Sequence, residues 1–243
     1  MSKWGPLWRE EYSDELRRAI EQFWRVKAEQ EGRKKVADTG ARGAVTGGQQ
    51  MNGFAELMSK ISVDAGVPRE CIFTNENEVP GYFRPTKRWD FLVVTPDHRL
   101  ISCMEFKSQG SSYGNNFNNR IEEAVGSGVD FHTALRYKAF RFPEPPWLGY
   151  LMLVELSPAA RTAVRVQEPH FPVFPEFQRT SYMARYRIFC ERLMSERHYS
   201  SACVLWTSRT SGRMEFSPEA ENLSFERFAV SYLGYITGRL GEF

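Results

Sequence analysis

The stretch WLGYLMLVEL, residues 147–156, is almost wholly apolar. A strand with one wet face alternates apolar and polar residues. A run without alternation reads as a strand covered on both faces. Such a strand lies in the interior of a sheet with helices on either side. ACVLWTS, residues 202–208, is a second strand of this kind. A hairpin of two further apolar runs, residues 90–94 and 100–107, precedes both. Strand, helix and buried strand in succession point to crossover units with parallel pairing. The expected fold class is α/β, with a mixed central β-sheet flanked by helices. No repeat or linker is visible in the 243 residues, so one domain spanning residues 1–243 is expected.

The helices follow from periodicity and caps. One is expected over residues 14 to about 30, with Ser13 as its cap and acids in its first turn. A second covers residues 54 to about 63. A third is expected from Asn119, where NRIE reads as a variant capping box, to about residue 140. SYMARYRIFCERLMSERHY is an arginine-rich helix, with Met183, Tyr186, Cys190 and Leu193 on one apolar face. Arg185 and Arg192 form a candidate DNA-facing stripe on another face. SFERFAVSYLGYITGRL closes the chain as a helix. GVPRECIFTNENEVPGYFRPTK reads as irregular structure around one short strand, and the proline-rich segment 157–177 as surface chain.

RWDFLVVTPDHRLISCMEFKSQG, residues 88–110, carries the chemistry. With Asp97 and His98 at the centre of its turn, the hairpin pairs Val94 with Ile101 and Asp90 with Glu105. Opposed residues have Cβ atoms about 5 Å apart on one face. Alternation adds Lys107 to that face and sends Phe106 to the other. Asp90, Glu105 and Lys107 then meet at one end of the hairpin. Two opposed carboxylates repel unless a cation offsets them. Mg²⁺ suits the position, since it is held by one or two carboxylates, with water and phosphate oxygens completing its shell. The Phe106 backbone carbonyl is a further candidate ligand. Lys107 could orient or deprotonate a water, or stabilise charge building on a phosphate. The implied chemistry is metal-assisted phosphodiester hydrolysis. Glu56, on the helix before the hairpin, is a candidate third acid. The competing structural reading is an ion cluster at a sheet edge.

This D…ExK hairpin, followed by a helix and a buried strand, resembles the PD-(D/E)xK nuclease fold. More specifically, the chain resembles the XhoI-type restriction endonucleases. The residues that carry this are GAVTGG…MNGF (43–54), PGYFRPTKRWDFLVV (80–94), EFKSQ (105–109), GNNFNNRIEEA (114–124) and PWLGYLMLVE (146–155). One departure from the wider superfamily is Trp89, rather than proline, before the first acid. The resemblance implies a Mg²⁺-dependent homodimer that cuts double-stranded DNA at the palindrome CTCGAG and leaves 5′ overhangs. It implies Asp90, Glu105 and Lys107 as the nuclease motif, a companion DNA methyltransferase, and a bacterial cytoplasm.

GNNFNNR offers Asn115, Asn116, Asn118, Asn119 and Arg120 directly after the catalytic strand. Asn reads adenine and Arg reads guanine bidentately, so these residues and Gln109 are candidate DNA contacts. Arg84, Lys87 and Arg88, just before Asp90, are candidates for the phosphates flanking the scissile bond. The glycine-rich GARGAVTGGQQ could order on DNA, but it lacks the lysine of a nucleotide-binding loop.

Composition excludes several classes. Arg outnumbers Lys 24 to 8, yet the net charge is only +2, too small to imply a polyanion partner unaided. Cys71, Cys103, Cys190 and Cys203 have no zinc spacing and are expected as buried free thiols. No apolar run spans a membrane. The rival functions are a repair or structure-specific nuclease of the same fold, a DNA-binding protein that does not cut, and a small-molecule phosphohydrolase.

Overall fold

In a computed structural model, residues 4–36, 49–110, 112–209, 214–215 and 218–243 are described. The glycine-rich loop singled out above falls mostly on residues 37–48, outside the described residues.

Among the described residues ten strands form, β1 (Ile72–Phe73), β2 (Glu78–Pro80), β3 (Thr86–Arg88), β4 (Phe91–Val94), β5 (Leu100–Gln109), β6 (Trp147–Glu155), β7 (Ala163–Val164), β8 (Thr180–Ser181), β9 (Ser201–Thr207) and β10 (Met214–Glu215). Six of them make the central sheet, in the order β1-β4-β5-β6-β9-β10. β6 lies between β5 and β9 and runs parallel to both, while the outer pairings are antiparallel. The fold is therefore α/β with a mixed sheet. β2 and β3 form a hairpin, as do β7 and β8.

The main helices are α1 (Glu11–Val36), α2 (Asn52–Asp64), α3 (Tyr113–Arg136), α4 (Tyr182–Ser195) and α5 (Phe225–Thr237). Alternation along β6 divides the core in two. Trp147, Leu151 and Leu153 join Phe23, Phe54, Met58, Phe228 and Tyr232 from α1, α2 and α5. Leu148, Tyr150, Met152 and Val154 join Phe117, Phe131, Tyr186 and Phe189 from α3 and α4. This two-sided burial is the physical reason for the apolar β6 sequence. All four cysteines are buried and free. No helix among the described residues is long and apolar enough to cross a membrane.

Several expected boundaries shift, and packing explains the shifts. α1 starts at Glu11, which puts Ser13 inside the helix instead of at its cap. Tyr12 is fully buried edge-on to Trp8, 5.6 Å between centroids, and this contact draws in the extra residues. α3 starts at Tyr113, six residues before Asn119, so Asn119 does not cap it. The residues of GNNFNNR lie in its first turns, although Asn is a weak helix former. Aromatic burial prevails there: Tyr113 stacks on Tyr182 at 5.5 Å and Phe117 meets Tyr186 edge-on at 5.1 Å. Ser112, at φ 61°, starts the helix with no side-chain cap. Further along α3, Gly128 permits close approach to His198, where a Cβ would come within 3.1 Å. The segment before β4 holds three short strands rather than one.

The β4–β5 register places Phe91 opposite Met104, Leu92 opposite Cys103 and Val93 opposite Ser102, as read from the turn. Val94 then faces Leu100 instead of Ile101, so Ile101 is bulged. The slip lies on the turn side and leaves the Asp90 end of the hairpin in its expected register.

Candidate active site

β5 outruns its neighbour. The β4 ladder ends at the Phe91–Met104 pair, while β5 continues to Gln109. The Phe106 N–H therefore has no strand partner on that side. Instead it donates to Asp90 Oδ2 at 2.7 Å, while the Asp90 N–H donates to the Met104 carbonyl at 3.0 Å. The N–H and C=O of one strand residue point toward the same neighbour. The Phe106 carbonyl thus faces the gap that Asp90 borders.

Glu105 is 4% exposed and lies under two ammonium groups. Lys107 pairs with its Oε1, and Lys87 Nζ sits 2.6 Å from its Oε2. Lys107 shares its strand face, as alternation requires. Lys87 arrives from the middle of β3, with its side chain only 10% exposed and its Nζ 4.6 Å from the Trp89 ring centroid. The Lys87 ammonium also donates to the Arg88 carbonyl at 3.1 Å.

The electrostatics separate the two acids. Burial first, and then the charge of Glu105, push Asp90 up to about 6, against the Phe106 N–H and both lysines. Burial also acts to raise Glu105, but Lys107 and Lys87 outweigh it and hold the carboxyl below its usual range. Burial acts to lower Lys107, but Glu105, Asp90 and Glu123 hold it above its usual value. The cluster thus brings two carboxyl groups and two lysine side chains together.

Asp90, Glu105 and Lys107 are thus neighbours, with the Phe106 backbone beside them. Lys87 is in the cluster too, through its ion pair with Glu105. Its signal was the alternation in TKRWD, which puts Lys87 on the buried face of Trp89. Glu123, an exposed acid on α3 whose charge acts on Lys107, had no such signal. Glu56 is exposed on α2, whose apolar face packs on the other side of the sheet from Glu105. Among the described residues no group of three His, Cys, Asp or Glu is placed to hold a metal, so Glu56 does not join the two acids.

The other candidates are distributed as follows. Asn115, Asn118 and Asn119 are exposed on the first turns of α3, and Asn116 donates to the Ser112 carbonyl at 3.1 Å. Arg120 donates to Glu123 at 2.5 Å, and its Nε is buried without a partner among the described residues. Gln109 is buried, with a long 3.4 Å contact to the Gly110 carbonyl. Arg84 Nε is held at 2.6 Å by Asp130, and Arg88 Nε at 2.9 Å by Asn77. On α4, Arg185 donates to Thr180 and to the Val164 carbonyl, both at 3.2 Å. Arg192 pairs with Glu176 and lies over Phe177. Both arginines bind neighbouring surface chain rather than forming a free stripe.

The family model described as restriction endonuclease XhoI matches residues 29–218. The chain is 46% identical over 206 residues to the type II restriction enzyme BstVI of Geobacillus stearothermophilus, covering 82% of this chain and 92% of that one. It is 41% identical over 189 residues to the type II restriction enzyme XhoI of Xanthomonas vasicola, covering 76% of each. Against the type II restriction enzyme AbrI of Azospirillum brasilense it is 40% identical over 166 residues, covering 66% and 74%. No solved structure matches the chain. The matched span contains the whole charged cluster at the end of β5, and the chain belongs to the XhoI family of restriction endonucleases.

Proposed function

We propose that this chain is a Mg²⁺-dependent homodimer that cuts double-stranded DNA at CTCGAG and leaves 5′ overhangs. The observation that carries the chemistry is the cluster of Asp90, Glu105, Lys107 and the Phe106 backbone where β5 outruns β4. Two carboxylates and a backbone carbonyl are hard oxygen donors, the set that a Mg²⁺ ion takes. Asp90 supports that fit, because its carboxylate is raised by burial and by Glu105, and its Oδ1 has no hydrogen-bond partner among the described residues. Asp90, Glu105 and the Phe106 carbonyl would hold the ion, and when bound it supplies charge neutralisation and Lewis acidity at the phosphate.

The chain's own groups do the rest. Lys107, anchored on Glu105, faces the attacking water and stabilises charge that builds on the phosphate. Asn115, Asn118 and Asn119 project from the start of α3, directly after the β5 carboxylate, toward base edges. Arg120 and Asn116 support that surface. Arg84 and Arg88 flank it on the β2–β3 hairpin and would meet the DNA backbone. Two subunits would each cut one strand, since a two-fold site matches two-fold protein symmetry. Residues 1–243 act as one endonuclease domain in the bacterial cytoplasm, alongside a methyltransferase that protects the same sequence.

The test is a plasmid bearing one CTCGAG site, incubated with Mg²⁺ or with EDTA, followed by run-off sequencing of the ends. A single Mg²⁺-dependent cut there is expected. Discrete cuts elsewhere would discard the inherited site. Structure-dependent nicking would indicate a repair-type nuclease. Binding without cutting in any metal would overturn the enzymatic reading.

A further inference from the structure

We propose that Lys87 is a built-in counter-ion that occupies the cation position on Glu105 in the metal-free enzyme. It leaves when a divalent cation and the DNA phosphate bind, and so couples the two. This rests on the reading of Asp90 and Glu105 as cation ligands.

The argument begins with occupancy. Both Glu105 oxygens already have an ammonium, Lys107 on Oε1 and Lys87 on Oε2. Each oxygen keeps a second lone pair, but a dication bound to Glu105 stands against an ammonium on the same carboxylate and repels it. Charge leads to the same conclusion. Two carboxylates and two ammoniums sum to zero. A dication added to the intact cluster would leave an excess of +2 in a largely buried site, where like charges disfavour one another strongly.

Which lysine leaves follows from their anchorage. Lys107 is two residues from Glu105 on the same strand face, so the β5 backbone keeps it beside the carboxylate. Lys87 comes from a separate element, the β2–β3 hairpin, where Val79 is its strand partner. Its ammonium already has a second acceptor in the Arg88 carbonyl, and the Trp89 ring face can receive a cation along the way. Lysine is also a flexible point charge, suited to moving between acceptors. Once displaced, Lys87 presents its charge beside Asp90, where a scissile phosphate would sit. A phosphate that accepts Lys87 frees Glu105 for the cation, and a cation on Glu105 frees Lys87 for the phosphate. Such coupling must be reciprocal.

The experiment is calorimetric titration of the EDTA-stripped full chain with Ca²⁺ alone, then with Ca²⁺ in the presence of a CTCGAG duplex. Lys87→Met keeps the apolar stem and removes the charge. It is expected to bind Ca²⁺ about tenfold tighter than the parent without DNA, within the usual range of couplings. Lys87→Gln is expected to do the same, which guards against a misfolded Met variant. Lys87→Arg keeps the charge and stays at the parent level. DNA should tighten Ca²⁺ binding in the parent and tighten it much less in Lys87→Met. Unchanged or weaker Ca²⁺ binding in both neutral variants overturns the proposal, as does an Arg variant that binds as tightly as they do. Glu105→Gln separates the two layers. If it abolishes Ca²⁺ binding while the Lys87 variants match the parent, only the Lys87 role fails. If it changes nothing in any background, the ligand reading itself fails, and the Lys87 role with it.

Discussion

Asp90 and Asp130 are two carboxylates drawn in from solvent beside the β2–β3 hairpin, and their surroundings drive them in opposite directions. Asp130, on α3, is 2% exposed. Its Oδ1 accepts the N–H groups of Tyr82 and Phe83 at 2.7 and 2.8 Å, and its Oδ2 accepts Arg84 Nε at 2.6 Å. Burial acts to raise it, but the Phe83 N–H, the Arg84 guanidinium and the Tyr82 N–H together pull it below the usual carboxylate range. Asp90 has one donor, the Phe106 N–H, and a carboxylate neighbour in Glu105. It is raised to about 6. A carboxylate whose oxygens are all used is structural, because it holds the hairpin tip on α3. A carboxylate left under-bonded beside another acid retains affinity for a cation. Burial acts to raise both groups; three donors outweigh it at Asp130, whereas the Phe106 N–H and the lysines do not at Asp90, where Glu105 adds to the rise.

The sharpest way to break this comparison is cleavage. Glu105→Ala is expected to lower the cutting rate on the order of 10³-fold or more, with DNA binding retained. Single-turnover assays beside gel-shift titrations check it, and intact cutting would remove Glu105 from the chemistry.

Stability comes next. Asp130→Ala leaves two backbone N–H groups and Arg84 without their acceptor, and is expected to cost about 2–4 kcal/mol. Its denaturant midpoint at pH 7 should fall accordingly. Because Asp130 is lowered in the fold, its contribution is present above the unfolded value of about 4 and is lost as pH falls through the folded value. A midpoint unaffected at pH 7 would mean the hairpin does not depend on this clamp.

Asp90 should behave oppositely. Its folded value lies above the unfolded one, so its favourable contribution is present below about pH 4 and is lost as pH rises through about 6. At pH 8 in EDTA the ionised carboxylate therefore works against the fold. Asp90→Asn is expected to raise stability by roughly 2 kcal/mol there, with the gain gone by about pH 4. A destabilised Asn variant at pH 8 would show that the Phe106 hydrogen bond outweighs the repulsion.

The smallest effect is expected at Arg84. Its side chain is about half exposed, so Arg84→Gln should cost only about 1 kcal/mol, and less in high salt. A loss as large as that of Asp130→Ala would place the clamp's strength in the ion pair and not in the backbone donors.

Legibility in the sequence followed how local each cause was. The D…ExK hairpin could be read because a short turn sets register and strand alternation sets faces. Both rules act within about 20 residues and need no distant partner. The start of α3 was misplaced because Asn119 is a good local cap, while the residues that override it pair with Tyr182 and Tyr186 on α4. Lys87 was read with Arg84 and Arg88 as a phosphate contact; alternation in TKRWD marks its face, but its carboxylate partner, Glu105, comes from another strand.

The amino-acid order alone carried the two-faced strand β6, the α/β class and the meeting of Asp90, Glu105 and Lys107, since apolar runs and alternation are properties of contiguous residues. The placement of Lys87 over Glu105, the full bonding of Asp130 and the under-bonding of Asp90 emerged in the folded chain. Each depends on which donors arrive from other elements, and in a site with little water those arrivals set the charge balance.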